Sequence, residues 1–173
     1  MSGKRRTASA AGGAAPRPGP MPRPTAVAKP LARDRAELTV DATLDALPRL
    51  LDVVDRVCRR SGADPDLAFD VRLAVDEVCG NLIAHGYRGL APGPIALSVE
   101  AQPDRVVIRI ADRGHRFDLR EAPPPDLLAP LEARPTGGLG CHLVRSVVDD
   151  IDYRSEPGGE NRLTLVRRVA AKR

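Results

Sequence analysis

A single stretch, residues 67–89, constrains the fold of this chain more than any other. Its apolar side chains recur at steps of three and four residues, the period of one face of an α-helix; they are Leu67, Val71, Ala74, Val75, Val78 and Leu82. Pro65 suits the first turn of a helix, and Gly86 and Gly89 can adopt the positive φ angles that end one. We therefore predict an amphipathic helix from Pro65 to His85.

Two polar residues, Glu77 and Asn81, lie one turn apart on a neighbouring face of this predicted helix. A carboxylate there can accept a proton, and a carboxamide oxygen is a hard ligand of the kind that Mg²⁺ accepts. A Glu and an Asn at this spacing also occur on ordinary solvated helix faces. The pair by itself therefore leaves two alternatives, a functional site and a solvated face.

Hydrophobic periodicity predicts the other elements. Two further helices are expected, one over 44–60, stopped by Ser61 and Gly62, and one that starts near Leu139. Alternation of apolar and polar residues predicts five strands, at 35–41, 95–99, 106–110, 150–155 and 162–169. At 173 residues the chain has room for one domain with a sizeable core.

Two motifs lie outside the helix interiors. Asp112-Arg113-Gly114 follows the strand at 106–110, an arrangement that is typical both of a binding-site carboxylate and of an ordinary turn. Residues 115–136 are rich in proline and without a clear period, so we predict a lid or binding loop there. Gly138-Leu139-Gly140 then opens a helix, where unpaired backbone N–H groups suit phosphate oxygens. The motif is neither a Walker loop nor a dinucleotide-binding fingerprint, because no Gly-Lys-Ser/Thr follows and no strand directly precedes it.

Charge is unevenly distributed. Residues 1–34 carry seven basic side chains and one acidic, with almost no large apolar residue, so we expect a disordered basic tail there and one folded domain over 35–173. That domain holds 20 basic and 22 acidic residues, which leaves no excess positive charge for direct nucleic-acid binding.

We expect Cys58, Cys79 and Cys141 to be ordinary buried or half-buried thiols. Without a signal peptide or an apolar run of about 20 residues, the chain is expected in the cytoplasm, with no membrane span.

Three motifs now stand in a fixed order, namely Glu77-x3-Asn81 on a helix, Asp112-x-Gly114 after a strand and Gly138-x-Gly140 before a helix. In this order and spacing they resemble the N, G1 and G2 boxes of the GHKL ATPase superfamily. The chain most resembles the anti-sigma factor serine/threonine kinases of bacterial partner-switching systems, through the segments DEVCGNLIAHGY, ADRGHRFDL, GGLGCHLVRSVVDDIDYRS and NRLTLVRR. The resemblance covers residues 36–169.

The resemblance implies a Bergerat-type fold, a two-layer α/β (α+β) sandwich in which helices cover one face of a mixed, mostly antiparallel sheet. ATP and Mg²⁺ would bind between the helices and the lid loop. Glu77 would be the general base that activates the attacking hydroxyl, and Asn81 the Mg²⁺ ligand. Asp112 would accept the adenine amino group, with Gly114 letting the base approach. The phosphates would face the backbone amides of Gly138, Leu139 and Gly140.

The resemblance also implies an activity, that of an ATP-dependent protein serine/threonine kinase which phosphorylates an anti-anti-sigma antagonist of the STAS type. While the antagonist is phosphorylated, the kinase would hold a sigma factor away from RNA polymerase, and family members imply a homodimer. A second interpretation is a non-catalytic nucleotide-binding module that regulates a sigma factor or a phosphatase by partner binding alone. A third is an α/β domain without a nucleotide site.

Overall fold

Five strands form one sheet in the computed structural model, which describes residues 29–123 and 139–169. The strands are β1 (Asp34–Asp41), β2 (Pro94–Gln102), β3 (Arg105–Asp112), β4 (Asp150–Ser155) and β5 (Asn161–Arg168). The helices of the described residues are α1 (Ala46–Ser61), α2 (Pro65–Asn81) and α3 (Leu139–Val147). Each predicted strand and helix is present, and α2 ends four residues before its predicted end.

The sheet has the strand order β1-β2-β3-β5-β4, and all four neighbouring pairs are antiparallel. The resemblance implied a mixed, mostly antiparallel sheet, but the described strands contain no parallel pair. Tight turns join β2 to β3 and β4 to β5, and such turns connect antiparallel neighbours. The order also places β5 beside β3, so that Asp112 at the end of β3 stands opposite Asn161 at the start of β5.

Helices α1 and α2 cover one face of this sheet. Along β2, Ile95, Leu97 and Val99 are buried, whereas the residues between them are only partly buried. The facing apolar stripes of the two helices belong to the same core; they include Leu50, Val53, Val54 and Val57 of α1 and Leu67, Val71, Ala74, Val75 and Val78 of α2. The predicted two-layer sandwich, with helices on one face of the sheet, is therefore confirmed.

Helix α2 begins as predicted and ends earlier than predicted. The carboxylate of Asp64 caps its first turn by accepting a backbone N–H three residues on at 2.8 Å, and Pro65 is the first helical residue. The regular α-helix ends at Asn81 instead of His85, because residues Leu82–Gly86 form a single π-helical turn, called the π-turn below. A change from i−4 to i−5 hydrogen bonding alters the backbone without altering the apolar pattern that predicted the helix.

The π-turn connects the end of α2 to the loop that follows β3. Of the two glycines predicted to end the helix with positive φ, Gly89 has a positive φ of 79° but lies beyond the π-turn, and Gly86 has no positive φ. Gly86 instead lies within the π-turn, and its carbonyl oxygen accepts the backbone N–H of His115 at 2.7 Å. This bond holds the loop after β3 against the end of α2.

The three cysteines are free and buried, as predicted. Burial raises the pKa of the Cys58 thiol to about 11 and that of the Cys79 thiol to about 12, so both stay protonated at neutral pH and are poor nucleophiles. Helices long and apolar enough to cross a bilayer are absent from residues 29–123 and 139–169.

Candidate functional site

Helices α2 and α3 bring together three residues of the predicted site. A methyl group added to Gly140 would collide with Oε2 of Glu77 and would lie 3.5 Å from Nδ2 of Asn81. The start of α3 therefore packs closely against the carboxylate of Glu77, and the carboxamide of Asn81 lies next to it. Leu139, the first residue of α3, is half exposed beside them. Gly138, the other glycine of the motif, lies outside the described residues.

This contact gives Gly140 a role that its sequence motif did not predict. The motif favours glycine for amides that face phosphate, and that role stays a prediction. The geometry adds a steric reason, because any side chain at position 140 would displace the carboxylate of Glu77. Glu77 and Asn81 are themselves only partly buried, so a ligand can reach both.

The donor set suits Mg²⁺ that arrives with a nucleotide. Within residues 29–123 and 139–169 no cluster of three or more His, Cys, Asp or Glu side chains could hold a metal by itself. Mg²⁺ in nucleotide sites takes one or two protein ligands and completes its shell with phosphate oxygens and water. Asn81 and Glu77, one turn apart on α2, offer the one or two oxygen ligands of that arrangement.

Asp112 forms a second centre of polar contacts at the end of β3. One carboxylate oxygen, Oδ1, accepts the backbone N–H of Gly114 at 2.8 Å and Nδ2 of Asn161 at 3.0 Å. The other oxygen, Oδ2, has no hydrogen-bond donor among the described residues. Burial raises the pKa of Asp112, and the hydrogen bonds from Asn161 and Gly114 partly oppose that rise because they favour the charged form.

Position 114 requires glycine because the backbone of the π-turn packs directly against it. A methyl group at this position would lie 2.5 Å from the carbonyl oxygen of Gly86 in the π-turn. The next residue, His115, makes the backbone hydrogen bond to the same oxygen. Gly114 therefore lets the loop after β3 pack on the π-turn, and the expected approach of a nucleotide base remains a prediction.

Both tyrosines of the chain support this second centre, and sequence reasoning missed them. The hydroxyl of Tyr87 donates to the carbonyl of Pro94 at 2.8 Å and accepts the N–H of Arg113, next to Asp112, at 2.9 Å. The hydroxyl of Tyr153 on β4 donates to Oδ1 of Asn161 at 3.0 Å. Burial raises the pKa of both phenols, so each keeps the proton that it donates.

The first part of the predicted lid loop is anchored to α3. The described residues 115–123 include an ion pair between Asp118 and Arg120 at 2.6 Å. Arg145 of α3 donates to the carbonyl of Ala122 at 2.8 Å. The helix that carries Gly140 thus also holds the beginning of the loop, and the rest of the predicted loop lies outside the described residues.

The contact between α2 and α3 yields a matched pair of variants. We expect Gly140→Ala to reduce the rate of the kinase reaction that the resemblance implies about 10²-fold, because displacing the predicted base, Glu77, by an ångström has effects of that size. Gly80→Ala is the control, since a methyl group on Gly80 would meet nothing within 4 Å. It should leave the rate unchanged and raise the free energy of unfolding by about 1 kcal/mol through helix propensity.

Single-turnover kinetics and urea unfolding of both variants check this prediction. A wild-type rate in Gly140→Ala would contradict a role for Gly140 in placing Glu77. An equal loss of rate in both would point instead to a general sensitivity of this helix pair.

Comparison with known proteins places the chain in a family. Residues 40–167 match the family model described as the histidine kinase-like ATPase domain. Two proteins named serine-protein kinase RsbW, from Bacillus cereus and Bacillus thuringiensis, are each 30% identical over 129 residues, which is 72% of this chain and 80% of theirs. A solved structure, the SiaB-SiaC complex from Pseudomonas aeruginosa, aligns with a TM-score of 0.44 and 13% identity over 76% of this chain and 89% of that one.

The family match spans the two centres of the site. It begins in β1 and ends in β5, so it includes the Glu77–Asn81 pair, the end of β3 and the start of α3. The resemblance stated from the sequence motifs is thereby confirmed at the level of the family. This chain belongs to the family of histidine kinase-like ATPase domains.

Proposed function

We propose that this protein is an ATP-dependent serine/threonine kinase that phosphorylates an anti-anti-sigma antagonist of the STAS type and sequesters a sigma factor. The observation that carries the proposal is the close packing of Gly140, at the start of α3, against Glu77, with Asn81 next to it. A carboxylate that can accept a proton and a carboxamide that can ligate Mg²⁺ lie beside the first turn of a helix there, and phosphoryl transfer uses groups of these kinds. The names of the relatives, serine-protein kinase, support the same activity.

Each site residue has a proposed task. Glu77 accepts the proton of the attacking Ser or Thr hydroxyl, and Asn81 contributes one oxygen to Mg²⁺. When bound, Mg²⁺ neutralises charge on the phosphates of ATP. Asp112 accepts the amino group of adenine through Oδ2, and Gly114 lets the base approach. The phosphates bind at the backbone amides of Gly138, Leu139 and Gly140.

The regulatory consequence follows from the competition between two partners. The unphosphorylated antagonist binds the kinase and frees the sigma factor, and phosphorylation ends that binding. We propose that the kinase acts as a homodimer in the cytoplasm. The slight excess of acidic residues over 35–173 favours protein partners over direct binding to nucleic acid.

The test uses the full chain with Mg²⁺ and γ-labelled ATP. Each STAS-domain protein of the same genome is added in turn, together with a version whose acceptor Ser or Thr is replaced by Ala. We expect label on one antagonist and none on its alanine version. Tight binding of an antagonist without any label would contradict the kinase proposal and favour the non-catalytic binding module.

A further inference from the structure

Asn161, at the start of β5, is a buried amide with four hydrogen bonds. Its Nδ2 donates to Oδ1 of Asp112 at 3.0 Å and to the carbonyl of Gly114 at 3.1 Å. Its Oδ1 accepts from the hydroxyls of Tyr153 and Ser155, each at 3.0 Å. Only 3% of its surface is exposed, so every polar capacity of the side chain is used inside the protein.

The chemistry of these neighbours fixes which way the amide points. The carbonyl oxygen of Gly114 can only accept, so the NH2 group must face it. The hydroxyl of Tyr153 uses a lone pair to accept the N–H of Phe117 at 3.1 Å, and its proton is therefore available for Oδ1 of Asn161. The amide cannot be flipped without placing acceptors against acceptors.

The fixed amide in turn fixes the carboxylate of Asp112. Its Oδ1 receives two N–H donors, one from Asn161 and one from Gly114, so a proton has no place on that oxygen. The plane of the carboxylate is held, and Oδ2 is left as an acceptor. The same two bonds favour the charged form against the burial that raises the pKa of Asp112.

We propose that Asn161, held by Tyr153, is a positioning residue that presents Oδ2 of Asp112 as an acceptor to a purine 6-amino group and so selects adenine over 6-oxo purines. The inference rests on the proposed nucleotide site. A 6-oxo purine would set its own acceptor oxygen against Oδ2, whereas a 6-amino purine supplies a donor. Loss of Asn161 would free the carboxylate to rotate and weaken that discrimination.

The test compares the dissociation constants of ATP and inosine triphosphate, which differ at the 6-position, for the full chain. We expect the wild type to prefer ATP. Asn161→Leu, which keeps the size and removes the amide, should weaken ATP binding about 10- to 30-fold, the effect of a hydrogen bond to a charged group. It should leave binding of inosine triphosphate within about twofold, so the preference collapses. Thr164→Val, on the same strand, is the control and should keep the preference.

Tyr153→Phe provides a second, milder variant, which retains the ring and removes the hydroxyl that holds Asn161. We expect about a fivefold loss of preference for ATP. If Asn161→Leu does not fold, this variant decides the question, and an unchanged preference in it would overturn the inference. A parallel loss of both nucleotides would also overturn it, since that indicates a merely structural role. A wild type that binds neither nucleotide would overturn the proposed site as well.

Discussion

Glu77→Gln is expected to leave ATP binding unchanged and to slow phosphoryl transfer to the antagonist by a factor of about 10² to 10⁴, the usual contribution of a general base. The carboxamide of Gln has the same shape as the carboxylate, so it still fits against Gly140 and α3 keeps its position. It cannot accept the proton of the attacking hydroxyl. The Glu77→Gln variant should therefore lose most of its phosphoryl-transfer rate and keep its affinity for ATP.

Titration calorimetry and single-turnover phosphorylation measure the two quantities. Asp76→Asn is the matched control, because Asp76 is the preceding residue of α2 and makes no hydrogen bond or ion pair among the described residues. It should transfer phosphate at the wild-type rate. A Glu77→Gln variant that retained the wild-type rate would mean that another group accepts the proton.

Asp112→Asn is expected to weaken ATP binding about 10²-fold, in line with the loss of a hydrogen bond to a charged group and the gain of a repulsive contact. The new carboxamide would keep its oxygen toward the donors of Gly114 and Asn161. Its NH2 group would then occupy the place of Oδ2 and face the amino group of adenine. The same NH2 group can donate a hydrogen bond to the 6-oxo group of inosine. Inosine triphosphate should therefore bind to Asp112→Asn more tightly than to the wild type.

Stability provides an internal control for the Asp112 variant. Because burial raises the pKa of Asp112 in the folded protein, ionising this carboxyl above its unfolded pKa opposes folding, and the opposition is present at neutral pH. A neutral carboxamide removes it, so the free energy of unfolding should not fall. Asp104→Asn, at an exposed turn, should change neither affinity nor stability. If Asp112→Asn bound ATP as tightly as the wild type does, adenine would not be recognised by Asp112.

Local patterns in the sequence account for most of the fold. The steps between Val71, Val75 and Val78 predict a helix because a helical face repeats at that interval, and the structure buries all three. Asp64 and Pro65 predict the first turn because capping depends on adjacent residues alone. The strands were predictable for the same reason, since alternation of side chains is a local property.

The remaining features depend on contacts between distant segments. The π-turn lies where Gly86 contacts the loop after β3, and the apolar periodicity of α2 does not predict that contact. The steric reason for Gly140 lies in Glu77 of another helix. Asn161 was missed as a site residue because its partner, Asp112, becomes its neighbour only through the strand order. A polar residue shortly after a Gly-Gly turn was the one signal that could have drawn attention to it.

The pairing of β3 with β5 would make nucleotide recognition at the proposed site a late event in folding. Asp112 and Asn161 touch across the sheet although 49 positions separate them in the chain. The chain between the two residues must close into a loop before their side chains can meet, and contacts of such long range form slowly. A half-folded chain with only β1, β2 and β3 assembled would therefore have no fixed acceptor for adenine. ATP would bind the finished fold alone and, at 100 times its dissociation constant, stabilise it by about 2.7 kcal/mol. Cellular ATP would thus protect this regulator from unfolding and proteolysis in addition to serving as its phosphate donor.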